Sequence, residues 1–149
     1  MLMNTLNFIW GAFLILLSSI AYFGQVITTF WPELAAKLGV AEAETKVDGT
    51  FYADIRGEAI WDSLTLWTLP LAGLLLILNS SLWLYLGLVG GGMYLYFAGR
   101  GIVVRRVMQR CGIRIGNPEN LKAAYLFLTL WGLAAVITIV MAMAAFLLS

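Results

Sequence analysis

Histidine is absent from this chain of 149 residues, and cysteine occurs once, at Cys111. Without histidine the chain lacks the usual axial ligand of haem, the commonest zinc ligand and the usual general base at neutral pH. A dihaem cytochrome and a serine-histidine intramembrane protease are therefore excluded. The single cysteine excludes an intrachain disulfide and a CxxC pair, and with them a thiol-quinone redox enzyme.

Two motifs of phosphate and headgroup chemistry are also missing. No glycine-rich loop is followed by Lys-Ser or Lys-Thr, and no cluster of aspartates surrounds a glycine as in metal-dependent lipid-headgroup transferases. We therefore expect no metal site, no cofactor and no catalytic residues. We also expect no nucleic-acid partner, because the basic stretch is short, attached to the membrane and accompanied by an acidic loop.

Charge is scarce, and apolar residues dominate. Charged residues make up 11% of the chain and hydrophobic residues 62%, with a mean hydropathy of +0.91. Soluble domains are about one quarter charged and about half apolar. The composition predicts an integral membrane protein that forms one domain over residues 1–149.

Four apolar runs approach the length of about 20 residues that a helix needs to cross a bilayer. They lie at about residues 6–30, 59–78, 82–99 and 121–148. The predicted fold is all-α, a polytopic left-handed bundle of four transmembrane helices. We expect helix one to be retained because it lacks the basic start of a signal peptide, and Pro70 to kink helix two. The short connection at residues 79–81 makes helices two and three antiparallel neighbours.

The connecting segments have features of their own. PELAAKLG at residues 32–39 predicts a short surface helix, and residues 40–49 form an acidic loop. Residues 100–116 predict a basic helical extension at the membrane interface, and Asn117 followed by Pro118 predicts the start of helix four. Four glycines of helix three predict close helix packing: Gly87, Gly90, Gly91 and Gly92.

All nine lysines and arginines lie in the segments that follow helices one and three. The positive-inside rule therefore places both segments in the cytoplasm and both termini outside. Residues 31–62 carry seven acids and three bases, a net charge of −4, whereas residues 100–122 carry six bases and one acid, a net charge of +5. We predict that the two segments pair into a polar cap over one end of the bundle.

The strongest candidate site is a stripe of acids that leads into helix two. Asp54, Glu58 and Asp62 are spaced by four residues and share one helix face. Acids at membrane depth are costly unless they are paired or face a wet interior, so they indicate a functional site. The predicted ligand-binding residues are Asp54, Arg56, Glu58, Asp62, Tyr96 and Arg100.

Three interpretations of this stripe remain open. Asp62 and Arg100, and Glu58 and Arg105, would form interhelical ion pairs if the charges are structural. Otherwise the stripe binds a ligand or handles protons, or two of its carboxylates act as general acid and base.

The arginines after helix three form a second candidate set. We predict contact with anionic lipid headgroups or a role in topology, and a phosphate-bearing ligand or a protein partner is the alternative. These residues are Arg105, Arg106, Arg110 and Arg114. Two deeper tryptophans, Trp67 and Trp131, are candidates for lining a hydrophobic pocket.

Two short motifs and the helix spacing resemble the DoxX-like group of small bacterial four-helix membrane proteins. The motifs are DIRG at residues 54–57 and AGR at residues 98–100. The resemblance implies an accessory membrane subunit or an uncharacterised small protein, in some relatives associated with quinone-linked oxidation complexes.

The expected function is non-enzymatic: the protein binds a lipid-like or quinone-like small molecule, or serves as an accessory subunit of a membrane complex. The alternatives are a small proton-coupled transporter that uses Asp62 or Glu58, a membrane enzyme that acts on a lipid headgroup at the cytoplasmic face, and a purely structural partner. Expected partners are membrane lipids, together with either further copies of the chain or the subunits of a membrane complex.

Overall fold

A computed structural model describes residues 2 to 148 of the chain, and their side chains from residue 5 onward. The helices in this range are α1 (Leu2–Phe30), α2 (Pro32–Lys37), α3 (Gly49–Thr65), α4 (Thr68–Ile77), α5 (Trp83–Arg110) and α6 (Pro118–Leu147), with a short 3-10 turn at Glu44–Lys46. Four segments are long and apolar enough to cross a membrane. They are span one (α1), span two (α3 and α4), span three (α5) and span four (α6). The predicted all-α fold with four spans is confirmed.

Span two is broken between α3 and α4, four residues before Pro70. Proline lacks an N–H, and its ring clashes with the carbonyl group of the residue four positions earlier, which here is Leu66. Helical bonding resumes with the N–H of Leu71, which donates to the carbonyl of Trp67 at 3.2 Å. The helix is thus interrupted upstream of the proline, at the carbonyl with which the ring would clash.

Local side-chain chemistry sets the other helix boundaries. Pro32 occupies the first turn of α2, as predicted, and the Asn117 side chain accepts a hydrogen bond from the N–H of Asn120 at 2.8 Å to cap α6. The basic segment after Gly99 continues α5 without a break to Arg110. The predicted basic extension is therefore helical over residues 100–110, where it forms the end of span three, but the prediction is wrong for residues 111–116, which are not helical.

The four spans pack in three extensive interfaces and one sparse one. α4 packs against α1 and α5, and α5 packs against α6, whereas α1 and α6 have little direct contact. Two tryptophans bridge that last gap. Trp10 Nε1 donates to Thr138 Oγ1 at 3.3 Å, and Trp131 Nε1 donates to the carbonyl of Leu17 at 2.8 Å. We call the gap between α1 and α6 the seam.

The glycines of α5 divide between packed and open positions. A Cβ added at Gly90 would lie 2.8 Å from the backbone nitrogen of Leu69, and one at Gly91 would lie 2.6 Å from Cγ1 of Ile139. Gly87 is also buried, against span four. A Cβ added at Gly92 would have no neighbour within 4 Å. Three of the four glycines therefore permit the predicted close packing, and Gly92 does not take part.

The segments that follow spans one and three meet at one end of the bundle, which we call the loop end. The N–H of Asp48 donates to the carbonyl of Arg114 at 2.8 Å, and the N–H of Arg114 donates to the Asp48 carboxylate. An apolar cluster lies beneath these bonds, formed by Val47, Phe51, Ile55 and Ile115. The predicted association of the two segments is confirmed, and here backbone hydrogen bonds and buried apolar side chains provide the contact.

Candidate functional site

Arg100 of α5 is held between two carboxylates of α3. Its Nη2 lies 2.5 Å from Asp54 Oδ1, and its Nη1 lies 2.9 Å from Glu58 Oε1. The two acids are one helical turn apart, so one guanidinium group reaches both. The Glu58 side chain is only 7% exposed, which makes its pairing energetically important. The cluster therefore fixes α3 against α5, and it joins the DIRG motif to the AGR motif.

Asp62 lies one turn beyond Glu58 and takes no part in this cluster. It is 4% exposed, and its Oδ2 has no hydrogen-bond partner among the described residues. The hydroxyl of Tyr94, which is also buried, does not donate to Asp62, because it donates to the carbonyl of Ser18 at 2.6 Å. The ion pairs expected for the structural interpretation, Asp62 with Arg100 and Glu58 with Arg105, do not form among the described side chains. Asp62 is thus a buried carboxyl group near the middle of span two.

Two other predicted ligand-binding residues lie apart from the cluster. The Arg56 guanidinium donates to the carbonyls of Thr28 and Thr29, the latter at 3.1 Å, and so caps the C-terminus of α1. Tyr96 is 61% exposed on the outer surface of α5. Of the six predicted residues, the structure joins Asp54, Glu58 and Arg100.

A cavity of about 340 Å³ lies in the seam, between α1 and α6 in the half of the bundle nearest the loop end. Small side chains leave the space, including Ala21 and Gly24 on α1 and Ala124 on α6. Its walls are largely apolar, and residues 39–42 close one side. A pocket of this size with few polar groups is typical of a small-molecule site. We call it the seam cavity.

Among the described polar side chains of the seam cavity, the two carboxylates have side-chain partners, whereas Arg105 has none of opposite charge. Glu58 is paired with Arg100, and Glu42 accepts a hydrogen bond from the Asn120 amide at 2.8 Å. Arg105 donates through Nη1 to the carbonyl of Gly101 at 3.0 Å, and its guanidinium lies 5.6 Å from the centre of the Phe51 ring. Among the described residues, Arg105 forms no ion pair with a carboxylate.

The four arginines predicted to contact headgroups therefore have different surroundings. Arg105 lines the seam cavity, whereas Arg106 is exposed and lies 5.9 Å from the centre of the Tyr125 ring. Arg110 is exposed at the end of α5, and Arg114 belongs to the loop contact with Asp48. The structure places one member of the set inside the bundle.

The sequence prediction of a tryptophan-lined pocket is half correct. Trp131 lines the seam cavity, but Trp67 is 44% exposed and contributes nothing to it. Sequence reasoning missed the α1 side of the cavity, including Gln25. The available indication was the pair of small residues Ala21, one turn before Gln25, and Gly24, next to Gln25.

Within residues 5 to 148, no three carboxylate or thiol side chains come together in a way that would hold a metal ion. The fold and the cavity define the class of the protein: a multi-pass, α-helical membrane protein of four spans. No family model, curated protein or solved structure matches the chain.

Proposed function

We propose that this protein binds an amphiphilic small molecule, lipid-like or quinone-like, in the seam cavity and has no catalytic activity of its own. The observation that carries the proposal is the cavity itself, which combines apolar walls with a few polar side chains near the loop end. Because α1 and α6 have little direct contact, a hydrophobic ligand would enter from the bilayer between them. The protein would act alone or as an accessory subunit of a membrane complex.

The proposal includes a DoxX-like relationship and a location in a bacterial inner membrane. The relationship is supported by the ion pair between Asp54 of DIRG and Arg100 of AGR, because it gives both motifs a shared structural role. The location follows from that relationship. The orientation is supported by the distribution of charge, since all lysines and arginines lie toward the loop end, in its loops or in the parts of the helices next to them. By the positive-inside rule the loop end faces the cytoplasm and both termini face outside.

Native mass spectrometry of the protein extracted from its own membrane tests the binding function. Ala124→Trp places a large side chain in the seam cavity, and Ala144→Trp makes the same change at an exposed position of the same helix. We expect a bound small molecule in the wild type and in Ala144→Trp, and its loss from Ala124→Trp. The same spectra would reveal any co-purifying subunit.

The proposal would be abandoned if the Ala124→Trp variant carried the same bound molecules as the other two proteins. It would also be abandoned if none of the three proteins carried or took up a lipid or a quinone.

A second candidate, proton-coupled transport, is favoured by Asp62. An unpaired carboxyl group buried at mid-span is costly, and such groups mark proton pathways in membrane proteins. In vesicles that contain the protein and a pH-sensitive dye, proton flux should be present in the wild type and absent in Asp62→Asn. Flux that survives the substitution would remove this candidate.

A further inference from the structure

We infer that the ligand of the seam cavity is an anionic amphiphile with a single hydrocarbon chain, whose carboxylate or phosphate head binds Arg105. The inference rests on the proposed function and specifies its ligand class. It gives Arg105 a role in ligand binding that the other arginines at the loop end do not share.

The first argument is the unused hydrogen-bonding capacity of Arg105. A guanidinium group has five N–H donors, and Arg105 uses one of them, toward the carbonyl of Gly101. The two carboxylates that line the cavity are bonded elsewhere, Glu58 to Arg100 and Glu42 to the neutral amide of Asn120. Unfilled donors on a half-buried guanidinium group are costly in a membrane span. An oxyanion fills two of them at once, because the planar guanidinium group suits carboxylate and phosphate alike.

The second argument is the depth at which Arg105 lies in the membrane. Arg105 lies 22 residues after Trp83, the first residue of span three, which is about 33 Å along an α-helix. The hydrocarbon core of a bilayer is about 30 Å thick, so Arg105 lies at its boundary, where anionic heads are found. From there the cavity wall on α6 runs from Asn120 to Trp131, about 16 Å along the helix. A ligand with its head at Arg105 would thus have its chain directed toward the middle of the membrane.

The third argument is the shape of the cavity below Arg105. Its wall is formed by aliphatic and aromatic side chains from all four spans, such as Ile20, Ile55, Phe97 and Leu128. A volume of about 340 Å³ is near the lower end of the range for small-molecule sites, and it suits one chain better than the two of a phospholipid. A quinone head offers separate carbonyl oxygens, which cannot make the two parallel hydrogen bonds that a carboxylate or phosphate makes to a guanidinium group.

Fluorescence quenching provides the test, because Trp131 lies in the wall of the cavity. The protein, held in an amphipol, is titrated with dibromostearate and with its neutral methyl ester, and Trp131→Phe identifies the part of the quenching that arises in the cavity. We expect the acid to bind at least about tenfold more tightly than the ester. Arg105→Gln should weaken binding of the acid by about tenfold and leave the ester unchanged. The matched control Arg106→Gln, on the outer face of the same helix, should bind both as the wild type does.

Competition experiments then separate the two sources of the oxyanion. Oleate supplies a carboxylate and oleoyl lysophosphatidate a phosphate, and displacement of dibromostearate by either one supports the inference. The compound that displaces it at lower concentration identifies the preferred head.

The outcomes separate the ligand class from the binding function. Equal affinities of the wild type for acid and ester would overturn the inference but leave the proposed function intact, because the cavity would then bind a neutral amphiphile. Absence of saturable, Trp131-dependent quenching by either probe would overturn both. The comparison of acid with ester in the wild type decides the question even if Arg105→Gln fails to fold.

Discussion

Arg100 and Arg105 are separated by just over one turn of α5, yet the structure gives them different surroundings. Arg100 is enclosed by Asp54 and Glu58, so its charge is neutralised within the protein. Arg105 lines the seam cavity, and among the described residues it forms no such pair. The first arginine therefore joins two spans, and the second is available to a ligand.

The Arg100 cluster leads to a prediction about stability. Arg100→Gln leaves the Glu58 carboxylate buried without its counterion, and we expect the free energy of unfolding to fall by about 3 kcal/mol. Arg110→Gln changes an exposed arginine of the same helix and should stay within about 0.5 kcal/mol of the wild type. Unfolding by titration with SDS measures both values.

A double substitution identifies the cause of the loss. Because the unpaired carboxylate is the destabilising group, Glu58→Gln combined with Arg100→Gln should recover part of the stability. A double variant no more stable than Arg100→Gln alone would show that the ion pair does not account for the effect.

Sequence reasoning matched Arg100 to the stripe of acids, but the structural interpretation paired it with Asp62, whereas its partners are Asp54 and Glu58. Periodicity places Asp54, Glu58 and Asp62 on one face of a helix, but it does not say how far that helix is shifted along its neighbour. The shift depends on the contact of α4 with α5 at Gly90 and on the break before Pro70. As a result Arg100 lies level with Asp54 and Glu58, and Asp62 lies too deep to reach it.

At the scale of whole helices, the contact of α4 with α5 has the clearest mutational test. In Gly90→Ala the new Cβ would collide with the backbone of Leu69, and backbone atoms have little freedom to move aside. We expect a loss of about 1 to 3 kcal/mol in the free energy of unfolding, measured by titration with SDS. Gly92→Ala adds the same methyl group two residues away in open space and should change stability by about 0.5 kcal/mol or less.

If the two alanine variants proved equally stable, the close approach of α4 to α5 at Gly90 would be incorrect.

Helix boundaries set by a proline or a capping residue were more predictable than helix contacts, whereas the start of span two, predicted at about residue 59, lies at Gly49. Pro32, Pro70 and Asn117 act on the backbone within one turn of their own positions, and their effects can be inferred from the local sequence. The seam cavity depends on small residues of α1 and α6, which are more than 90 positions apart in the chain. No periodicity within either helix reveals that these residues lie opposite each other, and so the sequence predicted a pocket at Trp131 but not its position between α1 and α6.

At the scale of the whole molecule, the exposed Cys111 gives a direct test of the proposed orientation. Cys111 lies at the loop end, just beyond α5, and is the chain's single cysteine. A membrane-impermeant maleimide should fail to label it in intact cells and should label it in inside-out vesicles. A cysteine introduced at Ser80, in the connection between spans two and three, should show the opposite pattern. Labelling of Cys111 in intact cells would reverse the proposed topology.

The sparse contact between α1 and α6 also has a consequence for biogenesis. A chain is synthesised from its N-terminus, so spans one to three are available to pack before span four enters the bilayer. Their interfaces, α1 with α4 and α4 with α5, do not require α6. One wall of the seam cavity is therefore the last part of the protein to be put in place. A lipid chain lying against α1 at that stage would be enclosed when span four docks, so the cavity would be filled during assembly, before the finished protein meets any other ligand.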